Sequence, residues 1–305
     1  LVTGGAGFIG HNVALYLRRR GFDVVALDSL ERSTEFAVNR LRQYNIPIIR
    51  IDVKSLNDCN GFDAVIHAAA YVSVPESMDR PTDYIENNVT STARVTHECS
   101  KVRARLIYLS SAAVYGNPVK LPIPEDHPIN PQSPYGLSKY LGELVVRQFS
   151  KIYGLRYVIL RLFNVYGPGQ NSAYAGVISS FIERALRNEP LIIYGDGEQT
   201  RDFIYVNDVA EVILKIIESD LFDNEIYNVG TGKPTSINEL AGIVMEILGK
   251  RNLKVIYGRE RPGDIRHSYA DVSKLKSSIN VNLTPLTIGL KQTLDTLNLS
   301  NSTSN

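Results

Sequence analysis

Thr3-Gly4-Gly5-Ala6-Gly7-Phe8-Ile9-Gly10 follows the apolar pair Leu1-Val2 and leads into a helical pattern from Val13 to Arg20, closed by Gly21. Glycines in G-x-x-G-x-x-G spacing between a strand and a helix make a turn that offers backbone N–H groups to a phosphate. Gly4 permits the tight turn, Gly7 lets a pyrophosphate approach the backbone beside Phe8 and Ile9, and Gly10 lets helix and sheet pack closely. Such a loop expects an acid at the end of the second strand, and Val24-Val-Ala-Leu27 ends at Asp28. A carboxylate there accepts hydrogen bonds from an adenosine ribose and repels a 2′-phosphate, so the pattern predicts NAD over NADP. Arg32, close by, weakens that preference slightly, since a flexible arginine can accommodate a phosphate.

Short apolar runs and helical patterns alternate outward from this loop. Ile48-Ile-Arg-Ile51 ends at Asp52, Ala64-Val-Ile-His67 precedes Ala68, Ala69 and Ala70, and Arg105-Leu-Ile-Tyr-Leu-Ser-Ser111 and Arg156-Tyr-Val-Ile-Leu-Arg161 read as further strands. Between them lie helices expected at Val89 to Val102 and Tyr135 to Tyr153. Alternation of this kind predicts an α/β fold, a Rossmann-type doubly wound parallel sheet. The remainder is less regular, with turns at Gly167-Pro168-Gly169 and Gly195-Asp196-Gly197, short strands at Leu191 to Tyr194 and Val255 to Tyr257, and amphipathic helices at Val209 to Ile217 and Ile237 to Leu248. It reads as a second, smaller α/β lobe for substrate, the boundary falling between residues 1–163 and 164–305. Segments near 200–232 are expected to return to the first domain, with Glu225-Ile-Tyr-Asn-Val229 as a strand of the main sheet, and the polar tail Leu299 to Asn305 is expected to fray.

Ser133-Pro134-Tyr135-Gly136-Leu137-Ser138-Lys139 holds the chain's one Tyr-x-x-x-Lys. Residues four apart share a helical face, and Pro134 suits a first helical position. The ammonium of Lys139 then sits beside the phenol of Tyr135. A phenol titrates near about pH 10, so holding it as phenolate near neutrality needs roughly 4 kcal/mol of electrostatic help. Ser111, at the C-terminal edge of its strand where open α/β sheets place ligands, is the third candidate. The three together predict a redox site with Tyr135 as general base for a hydroxyl group.

Composition narrows the partners. With 33 basic and 32 acidic residues and a formal charge of +1, the chain carries no long-range field for nucleic acid or an acidic membrane. Two cysteines cannot form a disulfide framework, and no apolar stretch is long enough to span a bilayer, which predicts a cytoplasmic protein. Five histidines without paired spacing predict no metal site. The chain opens at Leu1 inside a strand, so residues preceding it are expected.

These features, with Asn87-Asn88-Val89, Ser110-Ser111-Ala-Ala-Val-Tyr-Gly116, Arg161-Leu-Phe-Asn164-Val-Tyr-Gly-Pro-Gly169, Arg201-Asp-Phe-Ile-Tyr-Val-Asn-Asp208, Tyr227-Asn-Val-Gly-Thr-Gly232 and Arg261-Pro-Gly-Asp264, resemble the extended short-chain dehydrogenase/reductase family. Within it, the chain is similar to the NAD-dependent sugar-nucleotide 4-epimerases typified by UDP-galactose 4-epimerase. The resemblance implies Tyr135 as base, Lys139 binding the nicotinamide ribose and lowering the phenol pKa, and Ser111 hydrogen-bonding the reacting oxygen. It implies that Ala68, Ala69 and Ala70 line the NAD channel with Asn88 nearby, and that Asn164, Arg201, Arg261 and Asp264 hold the diphosphate and uridine.

Some readings stay open. Asp52 with Val53 either borders the adenine or is a solvated loop acid, and Arg201 and Arg261 could equally form salt bridges with Asp202 or Asp264. Ser268 stands where a small side chain resembles forms admitting N-acetylated hexoses, and Val72 where some epimerases carry a basic residue. Related 4,6-dehydratases place Asp-Glu after the catalytic hydroxyl; here stand Ala112 and Ala113, which can serve as neither acid nor base. The expected activity is thus UDP-glucose/UDP-galactose 4-epimerisation through a 4-keto intermediate. UDP-N-acetylhexosamine and UDP-glucuronate are alternative substrates, and a dehydratase or a non-catalytic NAD sensor is a more distant alternative. The family also implies a homodimer through the Tyr135 helix and the helix before it, with Leu141, Leu144 and Val145 available for the contact.

Overall fold

A computed structural model of the chain describes residues 1–171, 176–219, 222–260 and 264–302, with side chains as far as 297. Its elements run β1 (Val2–Thr3), α1 (Phe8–Arg19), β2 (Ala26–Asp28), α2 (Glu35–Gln43), β3 (Ile48–Arg50), β4 (Ala64–His67), α3 (Val74–Asp79), α4 (Pro81–Val102), β5 (Arg105–Ser111), α5 (Pro134–Tyr153) and β6 (Tyr157–Leu162). They continue with β7 (Asn164–Tyr166), α6 (Val177–Leu186), β8 (Leu191–Tyr194), β9 (Thr200–Tyr205), α7 (Val206–Ile217), β10 (Glu225–Val229) and β11 (Pro234–Ser236). The last are α8 (Ile237–Ile247), β12 (Val255–Gly258), β13 (His267–Ser268), α9 (Ser273–Ser278) and α10 (Leu286–Ser302).

Seven strands form one parallel sheet in the order β10-β6-β5-β4-β1-β2-β3. The chain winds outward from β1 to β3, returns to place β4 on the other side of β1, and winds outward again. That reversal leaves a crevice between β1 and β4 at the carboxyl ends of the strands, where the glycine loop begins. Every residue of β6, and all but Ser111 in β5, is buried, as expected of a sheet covered on both faces. Val13, Leu17, Val209 and Ile213 of α1 and α7 cover one face; Val95, Cys99 and Val146 of α4 and α5 cover the other. Each such fully buried aliphatic side chain contributes roughly 1.5–3 kcal/mol.

Beside β6 the sheet gains β10, in register Glu225↔Val158 to Val229↔Leu162. β9 belongs to a second sheet: β11 and β13 flank its first half, and β7 pairs with its second. β8 and β12 form a separate parallel pair. Phe181, Leu191, Leu240, Val244 and Leu290 gather a third apolar cluster under these strands.

Three helices begin earlier than their apolar periodicity predicts, α7 among them at Val206 rather than Val209, where polar Asn207 and Asp208 interrupt the apolar run. α1 starts at Phe8 rather than Val13, because its first turn buries polar His11 and Asn12, the latter donating to the carbonyls of Phe8 and Pro168. α4 starts at Pro81 rather than Val89, since Thr82 and Glu86 face solvent and draw no apolar stripe. By contrast α5 begins where its signals place it. Ser133 caps it by accepting from Gly136 N–H at 3.1 Å, Pro134 occupies the first turn, and Gly154 closes it at φ 72°.

Candidate active site

Two connected cavities lie along the crevice. The larger, about 380 Å³, is lined by Phe8, Ile9, Gly10, Val72, Ser111, Tyr135, Lys139, Phe163, Asn164, Gln170 and Asn171 among others. The smaller, about 120 Å³, is lined by Asp28, Ser29, Asp52, Val53, Ala69 and Asn87. Gly4, Gly7, Arg32, Ala68, Ala70 and Tyr71 line both. The structure therefore brings the glycine loop, the alanine run and the Tyr135–Lys139–Ser111 group together along one channel.

At the glycine loop the chain makes two demands no other residue meets. Gly4 stands at φ +63° with the Ala69 backbone so close that a Cβ would lie 2.6 Å from its nitrogen. A Cβ on Gly10 would lie 2.0 Å from the Gly4 carbonyl oxygen. Gly7 caps α1 without any side-chain hydrogen bond, which leaves first-turn N–H groups for a ligand. Asp28 braces the loop as well as facing the cavity, accepting from Ala6 N–H at 2.9 Å and Leu30 N–H at 2.8 Å.

Tyr135 and Lys139 lie one turn apart on α5, beside Ser111 at the end of β5. Burial raises the Tyr135 phenol above its ordinary value, and the hydrogen bond it shares with Ser111 opposes that rise. Burial also brings the Lys139 ammonium down to about 7, against the attraction of Glu143 one turn further on. In the protein's own field Ser111 is what lowers the phenol, and desolvation works against both charges. Lys139 is bedded on Tyr108, its Nζ 4.5 Å from the ring centroid. Below it His67 bonds Thr3 at 2.7 Å and Thr92 at 3.2 Å, and burial followed by the Lys139 charge pushes its imidazole down to about 3. A neutral His67 is thus a packing residue. Glu143 itself is gripped by Arg161 at 2.8 and 3.0 Å and by Ser110 at 2.6 Å, with both charged side chains at most 4% exposed. That buried pair locks α5 onto β5 and β6.

The remaining expected residues are placed differently. Asn88 lines neither cavity; its amide bonds both backbone groups of Tyr71 and the hydroxyl of Ser138, tying the loop after β4 to α5. Arg201 on β9 is joined to Asp264, and Ser268 on β13 pairs with Arg201 in the backbone register. None of these three lines either cavity. Arg261 lies outside the described residues, as do the side chains of the tail from Leu299. Asp202 bonds the N–H groups of Thr231, Gly232 and Ala270 at 2.8 to 3.1 Å, so it holds a turn. Among the described residues no group of His, Cys, Asp and Glu is arranged to hold a metal ion, and no helix is long and apolar enough to cross a membrane.

Residues 1–230 match the model of the NAD dependent epimerase/dehydratase family. The chain belongs to that family. A Methanocaldococcus jannaschii protein provisionally named UDP-glucose 4-epimerase is 42% identical over 281 residues, 91% of each chain. Among solved structures, a Methanobrevibacter ruminantium UDP-N-acetylglucosamine 4-epimerase in complex with UDP-N-acetylmuramic acid is 37% identical with a TM-score of 0.91, over 98% of this chain and 97% of that one. A Thermotoga maritima UDP-glucose 4-epimerase with UDP-glucose is 34% identical with a TM-score of 0.90, over 98% of both.

As a member of the family this chain is an enzyme that uses NAD, and its residues fit the cofactor. The uncapped N-terminus of α1 suits a pyrophosphate, Asp28 suits a ribose diol, and a channel longer than either cavity runs on to Tyr135. Sequence reasoning missed Tyr71, Asn87, Gln170 and Asn171 as lining residues and Glu143 as the partner of Arg161. Only Glu143 had a local signal, its i+4 spacing from Lys139.

Proposed function

We propose that this chain is a UDP-sugar 4-epimerase whose principal reaction interconverts UDP-glucose and UDP-galactose. The observation that carries the reading is that Ser111, Tyr135 and Lys139 line one cavity together with Gly4, Gly7 and Gly10 of the glycine loop. Ser111 is followed by Ala112 and Ala113, so no carboxyl group stands ready to expel water from the sugar. That favours epimerisation over dehydration, in agreement with the names of the relatives above.

In this reading Tyr135 takes the proton of the sugar 4-hydroxyl and later returns it, while Ser111 holds the reacting oxygen. The chemistry NAD supplies when bound is a reversible oxidation of C4 to a ketone. Lys139, bedded on Tyr108, stays on the Tyr135 face of α5, where ammonium and phenolate together lose less to burial than either charge alone. Asn164 lines the same cavity and orients the sugar nucleotide, and Arg201, Arg261 and Asp264 engage its diphosphate and uridine. Arg201 must then exchange its Asp264 partner for the ligand. Phe8, Ile9, Asp52, Val53 and the three alanines line the NAD channel.

A second reading is epimerisation of a UDP-N-acetylhexosamine. The 37% identity to the Methanobrevibacter enzyme supports it. Incubating the purified protein with UDP-glucose, UDP-galactose, UDP-N-acetylglucosamine and UDP-glucuronate, without added reductant, and resolving the products tests both. Conversion of UDP-glucose to UDP-galactose supports the first, conversion of UDP-N-acetylglucosamine alone transfers the assignment, and a 4-keto-6-deoxy product refutes epimerisation.

We also infer a homodimer through α4 and α5. Leu137 and Leu144 of α5 are 41% and 39% exposed, with Leu141 and Val145 partly so, which leaves an apolar strip on this helix. Sedimentation at micromolar concentration tests it; a monomer carrying full activity refutes it. The unpaired Cys59 and Cys99 support a cytoplasmic setting.

A further inference from the structure

Of the six residues that line both cavities, Gly4, Gly7, Ala68 and Ala70 offer only backbone and methyl groups. Arg32 and Tyr71 are the two with long side chains, and they stack, the guanidinium carbon 3.6 Å from the ring centroid. Arg32 comes from the loop after β2 and Tyr71 from the loop after β4. Because β2 and β4 flank β1, the stack crosses the crevice above the glycine loop that leaves β1.

The same guanidinium donates Nη1 and Nη2 to separate oxygens of Glu76 on α3, at 2.8 and 2.9 Å. Both side chains are about one fifth exposed, at 20% and 22%, which makes the fork stronger than an open surface pair. Glu76 is fixed from behind. Its N–H donates to the Ser73 hydroxyl at 3.2 Å, and its carboxylate accepts from the buried Tyr84 hydroxyl at 2.7 Å. Tyr84 in turn accepts the Ser73 N–H at 3.0 Å. The hydrogen bonds from Arg32 are the largest influence holding the Glu76 carboxyl below its ordinary range, so it is charged at neutral pH.

We propose that Arg32, Tyr71 and Glu76 form a strap over bound NAD that keeps the cofactor on the enzyme between turnovers. A ligand occupying both cavities passes the junction these side chains bridge, and it cannot leave without parting Arg32 from Tyr71 and Glu76. Glu76 is the anchor and Arg32 the hook, since Glu76 is held by Ser73 and Tyr84 within α3 and α4. Retention matters to an epimerase, which must give back to the sugar what it removed. The strap rests on NAD spanning both cavities, and not on which sugar is turned over.

The test is the release rate of NAD. Enzyme loaded with isotopically labelled NAD is mixed with excess unlabelled NAD, and bound label is counted after rapid desalting. Arg32→Ala and Glu76→Gln should each release label at least about tenfold faster than the native chain, the effect of losing one charge-assisted fork. Arg32→Lys should fall between, since it keeps the charge but loses fork and ring stack. Melting of the NAD-free variants separates release from misfolding, and the two conservative changes at Arg32 and Glu76 keep the test open should Arg32→Ala unfold. Equal release from the native chain and from variants that bind NAD at native stoichiometry overturns the strap alone. A native chain that binds no NAD overturns strap and cofactor together.

Discussion

Around Gly4 and Gly7 the cleft is walled by backbone and methyl groups, with N–H groups of α1 left for a ligand, whereas Arg201 on β9 and Asp264 before β13 spend their charges on each other. The first region is shaped before any ligand arrives. In the second, any ligand engaging Arg201, as the proposed function has it, would compete with an existing ion pair, so affinity there would be a difference between two sets of contacts. Tyr135 lies in the larger cavity with the glycine loop, where burial opposes a charge on its phenol. Under the proposed function, the first region would hold the cofactor that stays and the second the nucleotide that comes and goes.

The contrast breaks first at Tyr135. Tyr135→Phe should cut turnover by about a thousandfold while leaving NAD content unchanged, because the ring survives and only the proton carrier is lost. Native turnover in that variant would remove Tyr135 from the chemistry. Next comes the rigidity of the glycine end. Gly10→Ala puts a methyl group against the Gly4 carbonyl and should cost roughly 3 kcal/mol in urea unfolding, with loss of bound NAD. Full NAD content would show that this end yields more than its geometry suggests.

Lys139 links site and stability through pH. Its ammonium is brought down to about 7 in the folded chain, against an unfolded value near about 10.4. Between those values the unfolded chain binds more protons, so the contribution of Lys139 to stability rises with pH across that window. Below pH 7 the full burial cost is paid. Lys139→Met should therefore raise the melting temperature of the NAD-free protein near neutrality and flatten its rise toward pH 10, while abolishing turnover. An unchanged slope would mean that Lys139 is solvated.

The smallest expected effect tests the β9 end. Arg201→Ala should raise KM for the UDP-sugar about tenfold with little change in kcat, as for a group used equally in ground and transition states. A lower melting temperature with native KM would instead make Arg201 and Asp264 a purely structural pair.

Legibility follows the range of the interactions. The glycine loop, its following acid and the Tyr135–Lys139 pair are read from neighbours in the chain, because turn geometry and helical spacing act over a few residues. Asn88 shows where local reading stops. The resemblance implies that it lies near the NAD channel, and its amide bonds Tyr71, which lines both cavities, and Ser138, partners that the sequence around Asn88 does not reveal. Arg32 was read for its nearness to Asp28, and its commitment to Glu76 and Tyr71 is invisible without the crossing of β2 and β4.

Backbone shape, strand succession and the Tyr135–Lys139 spacing were written in residue order, since steric limits on φ and the 3.6-residue turn operate locally. Which charges find each other was settled by folding: Arg161 with Glu143, Arg201 with Asp264 and Arg32 with Glu76 each join separate elements. A long side chain has many reachable partners along an unfolded chain, and only the packed sheet and its helices choose among them.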